Sequence, residues 1–189
     1  MDAQALEIPG CYLLDLPRFP DARGEFRKLL HAPSLAAHGL ETAFTESYLS
    51  VSHRGVLRGM HFQAPPSDHA KLVTCVSGRA RDGLIDLRRG SPTFMQSLSL
   101  ILDGDVPQAV YVPRGVAHGF AAYRDGTALL YYTTSVHDPS RDSGVHPASV
   151  GIDWWQGEEG IAQPLMSPRD AALPGLSAFT TPFSYPVVK

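Results

Sequence analysis

Val110-Tyr111-Val112-Pro113-Arg114-Gly115-Val116-Ala117-His118-Gly119-Phe120 contains a strand, a turn and a second strand in one stretch. β-Branched and aromatic residues run up to Pro113, a proline and a glycine two apart turn the chain, and the apolar run beyond them carries one histidine, His118. Outward from this stretch, residues 11–134 are a succession of short β-rich runs broken by turn residues, with little room for a helix longer than two turns. Leu98, Leu100 and Leu102 alternate with Ser99 and Ile101, the period of two that a strand requires, and Asp103-Gly104-Asp105 follows as a turn. Ser77-Gly78 separates residues 71–76 from 80–87, and Asp125-Gly126 separates 118–123 from 128–134, so each pair is expected to form a hairpin. A helical turn is expected only at residues 34–38, after Pro33. So many short strands must close on themselves, because an open sheet would leave long unpaired edges. The expected fold is all-β, a single antiparallel barrel domain over residues 1–189. Short helices and loops should wrap it after Pro139, where Gly, Pro and Trp become frequent.

A chain of 189 residues, 43% apolar and 19% charged, has the make-up of one soluble domain with its own core. Its formal charge of −3 offers no long-range attraction to nucleic acid or an anionic membrane, so any phosphate it binds must be held by a few placed arginines. Cys11 and Cys75 have neither the spacing of a zinc site nor the density of a disulfide framework, which points to a reducing cytoplasm. The first ten residues contain Asp2 and Glu7, and no run approaches the roughly 18 apolar residues of a membrane span. Neither export nor membrane insertion is expected.

Gly55 through Gln63 reads GVLRGMHFQ and sets Arg58 and His61 among apolar neighbours. Taken singly, these are either a surface arginine with a hydrogen-bonded core histidine, or groups held in an apolar setting for chemistry. The stretch quoted first has the P-x-G-x-x-H spacing of the second cupin motif, so the barrel is expected to be of the cupin, or jelly-roll, type. Metal-binding cupins add an H-x-H pair and a glutamate in a first motif. Here that place reads His61-Phe62-Gln63, with no glutamate before Arg88, so no metal is expected. Proton transfer without a metal needs a base, an acid and a cation to stabilise an enolate. His61, Tyr131 and Lys71 are of those types, and a carboxylate would orient the histidine.

Several stretches together resemble the dTDP-4-dehydrorhamnose 3,5-epimerase family, from about Asp15 to about Pro174. They are Asp21-Ala22-Arg23-Gly24, Val56 through Gln63, Lys71-Leu72-Val73, Asp86 through Phe94, Ala117 through Phe120, Leu130-Tyr131 and Asp170-Ala171-Ala172. The resemblance implies that His61 accepts the proton, that Asp170 pairs with it, and that Tyr131 donates a proton on the opposite face of the sugar. It implies Lys71 and His118 at the sugar ring, and Arg23, Arg58 and Arg169 at the diphosphate of a nucleotide-sugar substrate. Asp142 falls where a substrate-binding glutamate is usual. A homodimer is also implied, with the Arg23 segment crossing to the partner subunit. The C4 ketone makes the α-proton removable, so no cofactor is called for.

Two departures stand out from that pattern. Lys28 replaces a usual glutamate, and Glu46-Ser47-Tyr48 replaces a usual Gln-x-Asn. Lys28 and Glu46 are expected either to pair at an altered nucleotide end, with Tyr48 stacking on a base other than thymine, or to be drift. Ser135-Val136-His137 stands where members that epimerise both centres often carry an aromatic pair, which leaves open inversion at C3, at C5 or at both. A cupin that binds a sugar nucleotide without turning it over is the remaining alternative. It would be expected only if the histidine, its carboxylate or the tyrosine were missing.

Overall fold

The computed structural model describes residues 1–185. Its strands are β1 (Ala3–Ala5), β2 (Tyr12–Asp15), β3 (Arg18–Asp21), β4 (Gly24–Arg27), β5 (Glu46–Ser52), β6 (Leu57–Gln63) and β7 (Lys71–Ser77). They continue as β8 (Arg79–Asp86), β9 (Ser97–Asp103), β10 (Gln108–Val112), β11 (Val116–Ala122), β12 (Thr127–Thr133) and β13 (Asp142–Gly144). Two short helices, α1 (Ala32–Ala37) and α2 (Pro168–Ala171), and single 3₁₀ turns at Pro147–Ser149 and Leu176–Ala178 complete the described elements. None of the helices is long and apolar enough to cross a membrane.

Six strands form one sheet in the order β1-β2-β10-β7-β12-β5, and five form another in the order β13-β6-β11-β8-β9. Both sheets are antiparallel throughout, while β3 and β4 make a separate two-stranded ribbon. The fold is thus an all-β jelly roll. It closes as two facing sheets, which leaves β5 as an edge strand.

Period-two alternation sorts the apolar residues into three layers. Val73, Val110, Leu129, Leu84, Phe120 and Leu102 meet between the sheets, with Leu98 and Leu100 of the predicted alternation packed against them. Ile101, of opposite parity, faces outward with Leu57, Met60, Phe62 and Ile85, and the segment after β13 covers that face with Val150, Trp154 and Phe183. The outer face of the six-stranded sheet is covered by Leu16 and by Leu35 of α1.

The hairpins expected at Ser77-Gly78 and Asp125-Gly126 do not form. The turns exist, but each carries the chain from one sheet to the other: β7 and β12 belong to the six-stranded sheet, β8 and β11 to the five-stranded one. Every edge is already taken, since β7 pairs with β10 and β12, and β8 with β11 and β9. Gly78, at φ +75°, sits so close to Thr127 that a Cβ there would lie 2.6 Å from its Oγ1, which fixes the crossing.

Arg58 and His61 are three residues apart and would point to opposite faces of a regular strand. A β-bulge in β6 turns both inward: His118 lies opposite His61, yet Phe120, only two residues on, lies opposite Arg58. Gly59 and Gly119 meet at the bulge, where a Cβ on Gly59, at φ +120°, would stand 2.5 Å from the Cα of Gly119. Gly59→Ala is therefore expected to lower stability by at least about 1–3 kcal/mol, the usual cost of such a backbone conformation. The measurement is urea denaturation, in which the midpoint should fall with little change in slope. An unchanged midpoint would show that the bulge tolerates a side chain.

Candidate active site

Between the sheets the apolar layer gives way to a cavity of about 400 Å³. The bulge supplies Arg58 and His61 from β6, and β11 supplies His118 directly opposite His61. From the facing sheet come Lys71 of β7, Tyr131 of β12, and Glu46 and Tyr48 of β5. Asp142 of β13 and Arg169 of α2 close the wall.

Two histidine–carboxylate pairs face this cavity. His61 Nε2 lies 2.7 Å from Asp170 Oδ1, and His118 Nε2 lies 2.6 Å from Asp82 Oδ2. Asp170 is held by α2, whose first turn Ser167 caps by accepting the Asp170 N–H at 3.0 Å. The other oxygen of Asp170 accepts the Gly59 N–H at 3.3 Å, so the bulge that turns His61 inward also anchors its partner. With Nε2–H given to the carboxylate, neutral His61 carries its lone pair on Nδ1.

Burial pushes His61 below its ordinary value, against the pull of Asp170, which favours the imidazolium. Burial works to raise Asp170, but the hydrogen bonds from His61 and Gly59 and the His61 charge hold its carboxyl below the usual range. Near neutrality the pair is an imidazole beside a carboxylate, ready to accept a proton. Lys71 Nζ donates to the His61 carbonyl at 3.1 Å, and burial brings its ammonium down to about 8. Burial raises Tyr131 well above the ordinary phenol value, so it stays protonated. Facing Lys71 and its neighbours, a small molecule meets a proton acceptor in His61, a proton donor in Tyr131 and a buried cation in Lys71 itself.

Nine of the twelve residues singled out in the sequence line this cavity, and Asp170 stands behind His61. Arg169 and Asp142 form an ion pair of 2.7 Å. The other two do not join them. Arg23 lies in the turn of the ribbon, its side chain 90% exposed and paired with Asp21 at 2.6 Å. Lys28 follows β4, with Nζ 6.0 Å from the centre of the Phe19 ring. The Lys28–Glu46 pair therefore does not form within the chain, and Glu46 instead accepts the His137 N–H at 2.7 Å. Nor do Glu46 and Arg58 share one end of the site. Arg58 bonds Ser52 Oγ at 3.1 Å and Val51 O at 3.3 Å, whereas Glu46 is six residues back along β5. At about 3.3 Å per residue that is roughly 20 Å.

Gln63 and His69 belong to the wall as well. Gln63 accepts the Asp138 N–H at 2.6 Å and donates to Ser67 O at 2.7 Å, while burial lowers His69 to about 3 and keeps it neutral. Parity was the signal for both: Gln63 is two residues from His61, and His69 two from Lys71.

Residues 5–178 match the family model for dTDP-4-dehydrorhamnose 3,5-epimerase. The chain is 39% identical over 175 residues to a dTDP-4-dehydrorhamnose 3,5-epimerase of Streptomyces griseus, covering 91% of this chain and 85% of that one. It is also 39% identical over 173 residues to a dTDP-4-dehydrorhamnose 3-epimerase of Streptomyces niveus, with 90% and 81% covered. The solved RmlC epimerase of Mycobacterium tuberculosis superposes with a TM-score of 0.87 at 35% identity, covering 94% of this chain and 89% of that one. With the geometry and these likenesses in agreement, the chain belongs to the dTDP-4-dehydrorhamnose 3,5-epimerase family and is an epimerase of nucleotide-linked 4-keto-6-deoxy sugars.

Proposed function

We propose that His61 removes the proton α to the C4 ketone and that Tyr131 returns one to the opposite face. The observation that carries this is that the two enter one cavity from opposite sheets, His61 from β6 and Tyr131 from β12. A sugar ring lying between them presents one face to each. Lys71 holds its charge where the enolate oxygen develops, in a site dry enough to strengthen the attraction. His118, oriented by Asp82, contacts the ring, and Arg58 and Arg169 meet the diphosphate, with Asp142 positioning Arg169.

Both C3 and C5 flank the ketone, and with a donor and an acceptor on opposite faces both centres are inverted. One observation favours a single-centre reading instead: Val136 is exposed and His137 is held by Glu46, so this wall lacks an aromatic pair. The carrier is thymidine diphosphate, as in the names of the relatives. Of the three residues that suggested another base, Glu46 and Tyr48 line the cavity from β5 while Lys28 stands against Phe19 of the ribbon, so within one chain they supply no common recognition edge. The enzyme works as a homodimer in which the ribbon crosses to the partner. Arg23 and the 52% and 61% exposed Phe19 and Phe26 on that ribbon do not line their own chain's cavity.

His61→Ala and Tyr131→Phe should each lower turnover by about a hundredfold to ten-thousandfold. Asp170→Asn and Lys71→Ala should slow it through the histidine and the enolate. Wild-type-like turnover in His61→Ala would remove the base from the scheme. Deuterium uptake from solvent, followed by NMR, should label C3 and C5, and label at one centre alone would establish the single-centre reading.

The pH profile follows from the two shifted groups. His61 acts when neutral, so activity falls as pH drops through its folded value, below the ordinary 6.5. Lys71 acts when charged, so activity also falls as pH rises through about 8. The check is kcat/KM against pH, where Asp170→Asn should move the acid limb lower because the carboxylate that favours the imidazolium is gone. An acid limb that stays in place would separate it from His61.

Calorimetric titration with thymidine, uridine and guanosine diphosphates should rank thymidine first. Sedimentation should show a dimer in which Arg23→Ala weakens nucleotide binding. A fully active monomer would overturn the crossed ribbon.

A further inference from the structure

Tyr48 lies directly opposite Tyr131 in the β5–β12 pairing. Both side chains point into the cavity. Their rings stack, with centroids 4.7 Å apart and planes 13° from parallel, an arrangement in which aromatic pairs attract. The edge of His118 meets the Tyr131 ring from another side, with centroids 5.7 Å apart and planes at 75°. His118 is itself fixed by Asp82 at 2.6 Å. The Tyr131 ring is thus held between an aromatic face and an anchored imidazole. Within one chain Tyr48 is the more exposed of the stacked pair, at 42% against 6% for Tyr131. Because β5 is an edge strand, removing the Tyr48 ring would open Tyr131 along that edge.

We propose that Tyr48 is a positioning residue for proton return: its ring sets the orientation of Tyr131 and shuts its solvent side, so that inversion outcompetes return of the proton to the original face. The inference rests on Tyr131 being the donor. Once His61 has taken the α-proton, the enolate has two fates. Tyr131 can protonate the opposite face, which inverts the centre and leaves a phenolate to be re-protonated by solvent, while the His61 imidazolium releases its proton to solvent. Alternatively, His61 can hand back the proton it holds, which restores the original centre. In D₂O the His61 proton exchanges with solvent, so the second fate appears as deuterium gained without inversion. A Tyr131 ring free to swing leaves the enolate waiting longer and favours that second fate.

The test compares wild type, Tyr48→Ala, Tyr48→Phe and Tyr131→Phe on a thymidine-diphosphate 4-keto-6-deoxyhexose in D₂O, measuring kcat, KM and label at each centre. Tyr48→Ala should lower kcat for inversion by about tenfold to a hundredfold, the penalty for a slightly misplaced reacting group. Its KM should hardly change, and label gained without inversion should rise relative to inverted product. Tyr48→Phe keeps the ring and should match wild type. Tyr48→Leu, which fills volume without offering a flat face, should behave as Tyr48→Ala and stands in for it if the alanine variant does not fold. A raised KM with unchanged kcat would make Tyr48 a substrate contact and overturn the inference, as would equal loss in Tyr48→Ala and Tyr48→Phe. A wild-type Tyr48→Ala beside an impaired Tyr131→Phe would overturn it too, leaving the donor assignment intact. Wild-type inversion in Tyr131→Phe would instead remove the donor assignment and, with it, this role for Tyr48.

Discussion

The close approach of Gly59 to Gly119 is the constraint on which the site depends. Without the extra residue in β6, Arg58 and His61 would point to opposite sides of the sheet, one into the cavity and one into the Trp154 layer. The same bulge offers the Gly59 N–H to Asp170 at 3.3 Å, so one irregularity both turns His61 inward and holds the carboxylate behind it. Neither glycine can be replaced cheaply: a Cβ on Gly119 would stand 2.6 Å from the Arg58 carbonyl oxygen. Specific chemistry here is built on a local break in regular pairing, which is where bulges commonly serve a site.

Polar side chains at the centre of a jelly roll carry a desolvation cost, and this interior limits it by pairing. His61 with Asp170 and His118 with Asp82 form hydrogen-bonded pairs, and Lys71 rests on a backbone carbonyl. Lys71 is the least compensated of these, which is why burial brings it to about 8 while it still carries charge near neutrality. An ammonium with so little competition from solvent is placed to respond to charge that develops only during the reaction.

Much of this was legible in the chain, and the misses share a cause. Strand positions, the turn at Pro113 and the inward parity of Leu98, Leu100 and Leu102 depend on neighbours in sequence, and they were readable. So were His61, Lys71 and Tyr131 as chemical types, and the family motifs brought Asp170 to His61 across 109 positions. The partner of each strand was not readable. Ser77-Gly78 and Asp125-Gly126 signal a turn equally well whether the chain folds back in its own sheet or crosses to the other, and the choice depends on which strands already occupy the edges of β7 and β8, and of β11 and β12. The Tyr48–Tyr131 stack follows from register, which no local pattern contains. The Lys28–Glu46 pair does not form within the chain for a similar reason: charge complementarity in a sequence gives no distance.

A two-sheet architecture suits a reaction that must act on both faces of one ring. Facing sheets stand about 10 Å apart, and side chains from each reach inward, leaving a slot about as deep as a pyranose where those side chains are polar or short. A proton acceptor on one sheet and a donor on the other then lie on opposite sides of whatever fills the slot, with no movement of the backbone. The six-stranded sheet brings Lys71 and Tyr131 on neighbouring strands β7 and β12, and the five-stranded sheet brings His61 and His118 on neighbouring strands β6 and β11. Each sheet thus holds its pair rigidly through backbone hydrogen bonds. In the proposed scheme the stereochemical outcome rests on the orientation of one ring, Tyr131, whose stacking partner Tyr48 sits on an edge strand of the six-stranded sheet.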